Sequence, residues 1–277
     1  AGRDTEFLDE DRAATPDTVA ERFGFSEEMI QRRTINLRMF NSFRDGSKAQ
    51  IEMTALANMT GLVPDVRGMH EPSLNITDIP DAFNLKDEGG ILSQHGVVEL
   101  ANSIGRDGKT MLDRPLNMGV FVVIRTEHPY IQEDLAGYQL HAGADRQNFL
   151  LYRPYHLVAV EAPISILKAA LYGQPTVAPL TMPVADVIAV TKRDLKQGET
   201  LDGSGGDTLN GLIERAGIAR AKNLVPLGLT YDARLKTNVE KGTAITYDMV
   251  ELEANSFVVE LRRIQDSTLW HSPCQIT

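Results

Sequence analysis

The stretch SFRDGSKAQIEM, residues 42–53, brings together side chains that could transfer a proton or bind an anion. An Asp45-Gly46 turn precedes a predicted helix, so free backbone N–H groups, the helix dipole and Lys48 would all favour an anion there. Glu52 follows Lys48 by four residues and can pair with it on the same helix face. The structural alternative is that Asp45 caps the helix, Gly46 makes the turn, and Lys48 and Glu52 form a surface pair. Taken by themselves, these residues favour the structural alternative.

Other familiar reaction sites find no support in the sequence. The histidines lack the i, i+4 spacing or the neighbouring Cys-x-x-Cys that marks a zinc site. The glycine-rich stretches DEGGILSQHG and SGGDTLNG match neither a dinucleotide fingerprint nor a Walker loop. There is no G-x-S-x-G elbow, and Cys274 is the only cysteine. A nucleophile-triad hydrolase is therefore not indicated.

Composition limits the partners and the compartment. The net charge of −10 argues against nucleic acid as the main partner, because phosphate binding needs a basic surface. No apolar run reaches about 18 residues, so no membrane span or membrane partner is predicted, and no signal peptide is apparent. With one cysteine the chain can form no intrachain disulfide, which favours a cytoplasmic location.

Hydrophobic periodicity predicts an α+β order in the first 175 residues. Alternation of Ile35, Leu37 and Met39 predicts a strand over 34–43, and the following change of period predicts a helix over 47–60 that ends at Gly61. Residues 62–90 form a polar connection with one helical turn near 79–83. Further elements are expected as strands at 119–126 and at the segment ending at Pro154, and as helices at 128–138 and 157–173.

The second part of the chain differs from the first in composition. Three prolines in 174–186 mark a predicted boundary, with a catalytic and dimerisation domain at 1–180 and a small, mostly β domain at 181–277. Two segments of the smaller domain, 193–202 and 237–248, share one scheme. In each, a polar residue, an apolar residue, a glycine and a second apolar residue recur at the same spacing, which predicts an internal repeat with a glycine turn.

Two long motifs resemble one protein family. The stretch SFRDGSKAQIEMTALANMTGLVPDVRGMH, 42–70, is similar to the central motif of bacterial NAD(P)-dependent oxidoreductases related to homoserine dehydrogenase, which include the Brucella-type deoxyxylulose-phosphate reductoisomerase-like enzyme. The stretch VIAVTKRDLKQGETLDGSGGDTLNGLIE, 187–214, resembles the C-terminal SAF module of that family, a β-clip, and 226–252 fits its second half. The resemblance extends from Ala14 to Leu252. It implies an α/β-type catalytic domain with a mixed sheet and flanking helices, followed by a mostly-β SAF domain.

The resemblance also implies roles for individual residues. Lys48 would donate a proton or bind an oxyanion or phosphate, and Asp45 or Glu52 would orient Lys48 or help to hold a divalent cation. Substrate binding is expected from Ser42, Asn58, Asp65, Arg67, His70 and His95. The small-molecule substrate would be a sugar or keto-polyol, with or without a phosphate.

The family normally begins with a dinucleotide-binding domain that holds NADPH. The chain begins where such a domain would end, and Arg3 stands where relatives carry a Gly-Lys-rich segment. We therefore expect NADPH to be bound through a domain that is absent from this chain, and we expect a homodimer formed through the central sheet. The alternative function is a non-catalytic module that binds a carbohydrate or a partner through the SAF domain.

Overall fold

The computed structural model describes residues 2–3, 9–22, 24–33, 35–105, 107, 110–179 and 182–270. Its mixed helices and small sheets are followed by a region of short strands, so the α+β fold class with a small β domain is confirmed. His271, Cys274 and the side chain of Arg3 lie outside the described residues. In the described part of the chain, no helix combines the length and the apolar character needed to cross a membrane.

The helices and strands follow the chain in mixed order. The helices are α1 (Asp9–Arg12), α2 (Pro16–Arg22), α3 (Glu27–Arg33), α4 (Leu37–Arg44), α5 (Ser47–Thr60), α6 (Ile79–Ala82), α7 (Pro129–Gly137), α8 (Val158–Tyr172), α9 (Ala216–Ala221) and α10 (Phe257–Trp270). The strands are β1 (Gly2–Arg3), β2 (Val63–Pro64), β3 (Val97–Val98), β4 (Ala101–Asn102), β5 (Val120–Arg125), β6 (His141–Ala142), β7 (Asn148–Arg153), β8 (Ala185–Thr191), β9 (Leu209–Arg215), β10 (Arg234–Leu235) and β11 (Val250–Glu251). Short 3₁₀ turns occur at Ile76–Asp78, Lys86–Glu88, Leu227–Leu229 and Tyr247–Met249.

Two compact units divide the chain, and each contains two separate segments. Unit 1 consists of Ala1–Phe7 and Leu62–Ala178, and unit 2 consists of Leu8–Gly61 and Pro179–Thr277. The division predicted from the sequence, 1–180 and 181–277, follows chain order and stays a prediction about domains.

Unit 1 is built around an antiparallel sheet in the order β5-β7-β6, with Val120 opposite Arg153 and His141 opposite Leu150. Parallel pairs β2–β3 and β1–β4 lie in the same unit. Its core contains the buried side chains of Ile79, Phe83, Leu92, Ala101, Leu116 and Leu150. The strands and helices predicted for residues 119–173 and the helical turn near 79–83 are confirmed.

Unit 2 contains the main departure from the sequence prediction. The strand predicted over 34–43 is wrong, because Leu37–Arg44 is helix α4 with Asn36 as its N-cap, accepting the N–H of Met39. The alternation of apolar residues misled the prediction because this helix buries a polar face: Asn41, Ser42 and Arg44 are buried while Met39 is 46% exposed. When the buried face of a helix is polar, its apolar residues do not recur with the helical period, so the sequence pattern does not indicate a helix.

Helix α5 confirms the prediction for 47–60. It starts after Gly46 and ends at Gly61, and both glycines adopt left-handed backbone angles, with φ of 84° and 81°. The helix packs on β8 and β9, and its polar side chains bond to the backbone of β9. Ser47 Oγ accepts the N–H of Gly211 at 2.8 Å, and Gln50 Oε1 accepts the N–H of Ile213 at 2.7 Å. Hydrogen bonds to the backbone of β9 therefore hold α5 on these strands in addition to packing.

The internal repeat is confirmed, and its two copies pair with each other. Leu195 and Val239 exchange two backbone hydrogen bonds of 2.8 and 3.0 Å. Asp194 accepts the N–H of Lys241 and Asn238 accepts the N–H of Gln197, each at 2.9 Å. Equivalent residues therefore make equivalent contacts, as a local two-fold relation requires.

Candidate functional site

Lys48 lies at the surface of unit 2. Its Nζ is 3.9 Å from Glu52 Oε1, with both side chains partly exposed, and 3.9 Å from the centre of the Phe43 ring. The pairing predicted from the i, i+4 spacing is thus present. An exposed pair of this kind contributes little to stability, about 0.3–0.5 kcal/mol. The proton-transfer role of Lys48 stays a prediction.

Asp45 is completely buried and paired with a lysine that the sequence did not single out. Its Oδ2 is 2.7 Å from Lys192 Nζ, and its Oδ1 accepts the N–H of Ser47 at 2.8 Å. The ammonium of Lys192 also donates to the carbonyl oxygens of Ala14 and Gly206, at 2.7 and 2.6 Å. The lysine therefore neutralises the buried Asp45 carboxylate and donates hydrogen bonds to two carbonyls, which fixes the turn before α5.

Ser42 and Asn58 also bond to the backbone of unit 2. Ser42 Oγ donates to the carbonyl of Met39 at 2.6 Å. Asn58 Nδ2 donates to the carbonyl of Ala185 at 3.0 Å, and Oδ1 accepts the N–H groups of Val184 and Ala185. The hydrogen bonds of Asn58 therefore connect α5 to the start of β8.

The other predicted substrate residues belong to unit 1. His95 and Arg67 are exposed, whereas the side chain of Asp65 is buried and its Oδ2 accepts the N–H of Ser93 at 2.9 Å. His70 is brought close to Asp65, with 3.6 Å between Nε2 and Oδ2. Of this predicted set, His70 and Asp65 come together in one cluster.

The His70 imidazole is held by Glu99. Nδ1 lies 2.6 Å from Glu99 Oε1, and the backbone N–H of His70 donates to Glu99 Oε2 at 3.0 Å. A carboxylate on Nδ1 fixes the ring orientation and favours the tautomer with its proton on that nitrogen. Nε2 makes no hydrogen bond within the described residues, because the 3.6 Å to Asp65 is too long for one. That nitrogen can accept or donate a proton.

Backbone strain surrounds this histidine. Met69 and Glu71, its two neighbours, have φ of 65° and 48°, which is a costly conformation for side chains of this size. Such angles cost about 1–3 kcal/mol each and cluster at functional sites. The strained turn therefore supports a functional role for His70.

A cavity of about 430 Å³ opens beside His70 in unit 1. Its polar lining comprises His70, Glu71, Ser73 and Asn102, and Ile91 and Ile104 supply apolar surface. Ligand sites of this size hold small molecules and use a few polar groups to orient them. The cavity is large enough for a small molecule and offers it a few polar groups.

Burial dominates the electrostatics of Glu99. It raises the pKa of the Glu99 carboxyl above its ordinary value, and the hydrogen bonds from His70 act in the opposite direction. The Glu99 carboxyl thus contacts the imidazole in surroundings that disfavour its charged form, and perturbations of this kind are typical of functional sites.

The glycine loop after β8 does not fit the phosphates of a dinucleotide, and the described residues contain no clustered metal site. In the glycine loop after β8, the Asp202 carboxylate accepts the N–H groups of Asp207 and Thr208 that a phosphate would need. A Cβ on Gly205 would lie 2.2 Å from the carbonyl oxygen of Arg38, so that glycine serves packing. In the part of the chain that the structure describes, no group of three His, Cys, Asp or Glu side chains could hold a metal ion.

Sequence reasoning missed two residues, Glu99 and Lys192. Glu99 follows Val98 in a short hydrophobic run, and Lys192 follows β8 in a stretch read as ordinary strand. Glu99 interrupts an apolar run and Lys192 follows one, a pattern typical of a buried charge with a partner elsewhere. The sequence carried that signal but not the identity of the partner.

Residues 1–162 match the family described as Oxidoreductase DRL, catalytic domain. A comparison with curated protein sequences gave no match.

Proposed function

The chain belongs to the family of DRL oxidoreductase catalytic domains, and on this premise we propose that it reduces or oxidises a small polyhydroxylated carbonyl compound in the unit 1 cavity. The observation that carries the proposal is the His70 imidazole, oriented by Glu99 through a 2.6 Å contact and lining a polar cavity. The substrate class is a sugar or keto-polyol of the kind on which a deoxyxylulose-phosphate reductoisomerase-like enzyme acts.

His70 Nε2 moves the proton in this proposal. Reduction of a carbonyl adds a hydride, which NADPH would supply, to the carbon and a proton to the oxygen, and the reverse oxidation of the alcohol removes both. Nε2 is suited to both steps because Nδ1 is fixed on Glu99 and Nε2 has no hydrogen bond of its own in the described residues. Glu99 is a positioning residue that keeps the ring in place.

The cofactor in the proposal is NADPH bound by a separate dinucleotide-binding domain, as the family resemblance implies. Because the glycine loop after β8 does not fit its phosphates, no step in handling the dinucleotide is assigned to that loop. The C-terminal SAF identity and the divalent cation likewise stay proposals.

Replacing His70 tests the proposal directly. In the enzyme joined to a dinucleotide-binding domain, His70→Gln should lower kcat/KM for NADPH oxidation with keto sugars by about 10²–10⁴-fold, because a general acid–base group is removed. His128→Gln, an exposed histidine in the same unit, is the matched control and should leave kcat/KM unchanged.

Lys48→Gln separates the two candidate proton donors. If Lys48→Gln abolishes turnover while His70→Gln retains it, Lys48 is the donor and the assignment to His70 is wrong. The opposite result supports His70 and leaves Lys48 in its surface pair with Glu52.

A further inference from the structure

Asn102 carries a buried polar atom that nothing in the protein satisfies. The residue lies on β4, is 4% exposed and lines the cavity beside His70. Its Nδ2 donates to the carbonyl oxygen of Glu71. Its Oδ1 has no hydrogen-bond partner among the described residues.

The orientation of this amide is fixed by its own contact. Because Nδ2 donates to the Glu71 carbonyl, the amide atom without a partner is the oxygen Oδ1, which can only accept a hydrogen bond. A buried acceptor without a partner is unfavourable and is rare in native proteins. A ligand that brings a donor to this position would remove that penalty.

We infer that Asn102 Oδ1 accepts a hydrogen bond from a substrate hydroxyl, and that Asn102 selects polyhydroxylated ligands over their deoxy analogues. The inference rests on the proposed function for the identity of the cavity as the substrate site. A hydroxyl brings the proton that this acceptor oxygen lacks, whereas an ionised phosphate oxygen has no proton to donate.

The expected selectivity follows from the same unsatisfied atom. A site built to bond a hydroxyl rejects the analogue that lacks it, because the protein group is then left unpaired. For one neutral acceptor, the expected preference is about 10- to 100-fold.

The test uses the chain itself and needs no turnover. Calorimetric titration and ligand-induced shifts of the melting temperature are measured with D-xylulose and each of its monodeoxy analogues. The wild type should bind D-xylulose about 10- to 100-fold more tightly than the analogue that lacks the contacted hydroxyl. Asn102→Leu should bind the two with equal affinity.

Two further variants keep the test decisive. Asn102→Ala also removes the acceptor oxygen and should lose the preference, so it replaces the leucine variant as the informative comparison if that variant does not fold. His70→Gln should lose turnover in the joined enzyme but keep the hydroxyl preference, because it leaves Asn102 intact.

The outcomes separate this inference from the proposed function. If Asn102→Leu discriminates as the wild type does, or if none of the sugars binds the wild type, the role of Asn102 is refuted. If Asn102→Leu loses the preference while His70→Gln keeps full turnover, the hydroxyl contact stands and the role of His70 is refuted.

Discussion

The His70 imidazole lies between two carboxylates at unequal distances, 2.6 Å from Glu99 and 3.6 Å from Asp65. The nearer one carries a raised pKa because it is buried. Protonation of the Glu99 carboxyl is therefore linked to the stability of the fold. The sequence identified His70 and Asp65 only as members of a motif. It did not identify Glu99, since nothing local to that residue shows which histidine it contacts.

Glu99→Gln tests this coupling through pH. A carboxyl whose pKa is raised in the folded state stabilises the fold below its unfolded value of 4.5, and this contribution is lost as pH rises through the folded pKa. The unfolding free energy of the wild type, relative to Glu99→Gln, should therefore fall as pH rises above 4.5. Urea denaturation from pH 4 to 8 measures the difference.

Glu199→Gln is the matched control with the opposite sign. Its hydrogen bond with Arg193 lowers the pKa of Glu199, so the stabilisation is present above 4.5 and is lost as pH falls. If both variants gave the same pH dependence relative to the wild type, the assignment of a raised pKa to Glu99 would be wrong.

Among the secondary-structure elements, the two copies of the internal repeat place a lysine at the same position but in different surroundings. Lys192 and Lys236 hold equivalent positions before the paired segments. Lys192 is buried on Asp45, whereas Lys236 is exposed. The repeat could be read from spacing because glycine turns and apolar positions are local features. The burial of Lys192 could not be predicted from the sequence, because its partner Asp45 lies in the turn before α5, far away along the chain.

These two lysines form a matched pair for mutation. Lys192→Met should lower the unfolding free energy by about 3–5 kcal/mol, because it leaves the Asp45 carboxylate buried without its counter-ion. Lys236→Met should change it by less than about 0.5 kcal/mol, as expected at an exposed position. Denaturant titration of both variants measures the difference, and equal losses would contradict the structural role of Lys192.

At the scale of the whole molecule, unit 1 exposes a broad apolar surface. Helix α8 has no buried residue, and Ile164, Leu167 and Leu171 on one of its faces are 52%, 54% and 68% exposed. Exposed apolar faces of this extent are typical of interaction surfaces. They are consistent with the homodimer expected from the family resemblance, which stays a prediction.

Light scattering coupled to size-exclusion chromatography tests the dimer. The wild type should have the mass of two chains, and Leu167→Lys should shift it toward one chain, because a charge would be buried in the interface. Glu133→Lys, which introduces the same residue at an exposed position of α7, should remain dimeric. A monomeric wild type would rule out the dimer.

Local patterns were sufficient to predict the α+β class, the helices at 47–60 and 157–173, the strands at 119–126 and before Pro154, and the internal repeat. These features depend on periodicity and glycine placement within short windows. The helix at 37–44, the pairing of Asp45 with Lys192 and the contact of Glu99 with His70 became visible only in the folded chain. Each of these depends on a polar group that becomes stable in the interior only beside a partner distant in the sequence. Local patterns therefore predict where apolar residues go, but they do not predict which buried charges meet.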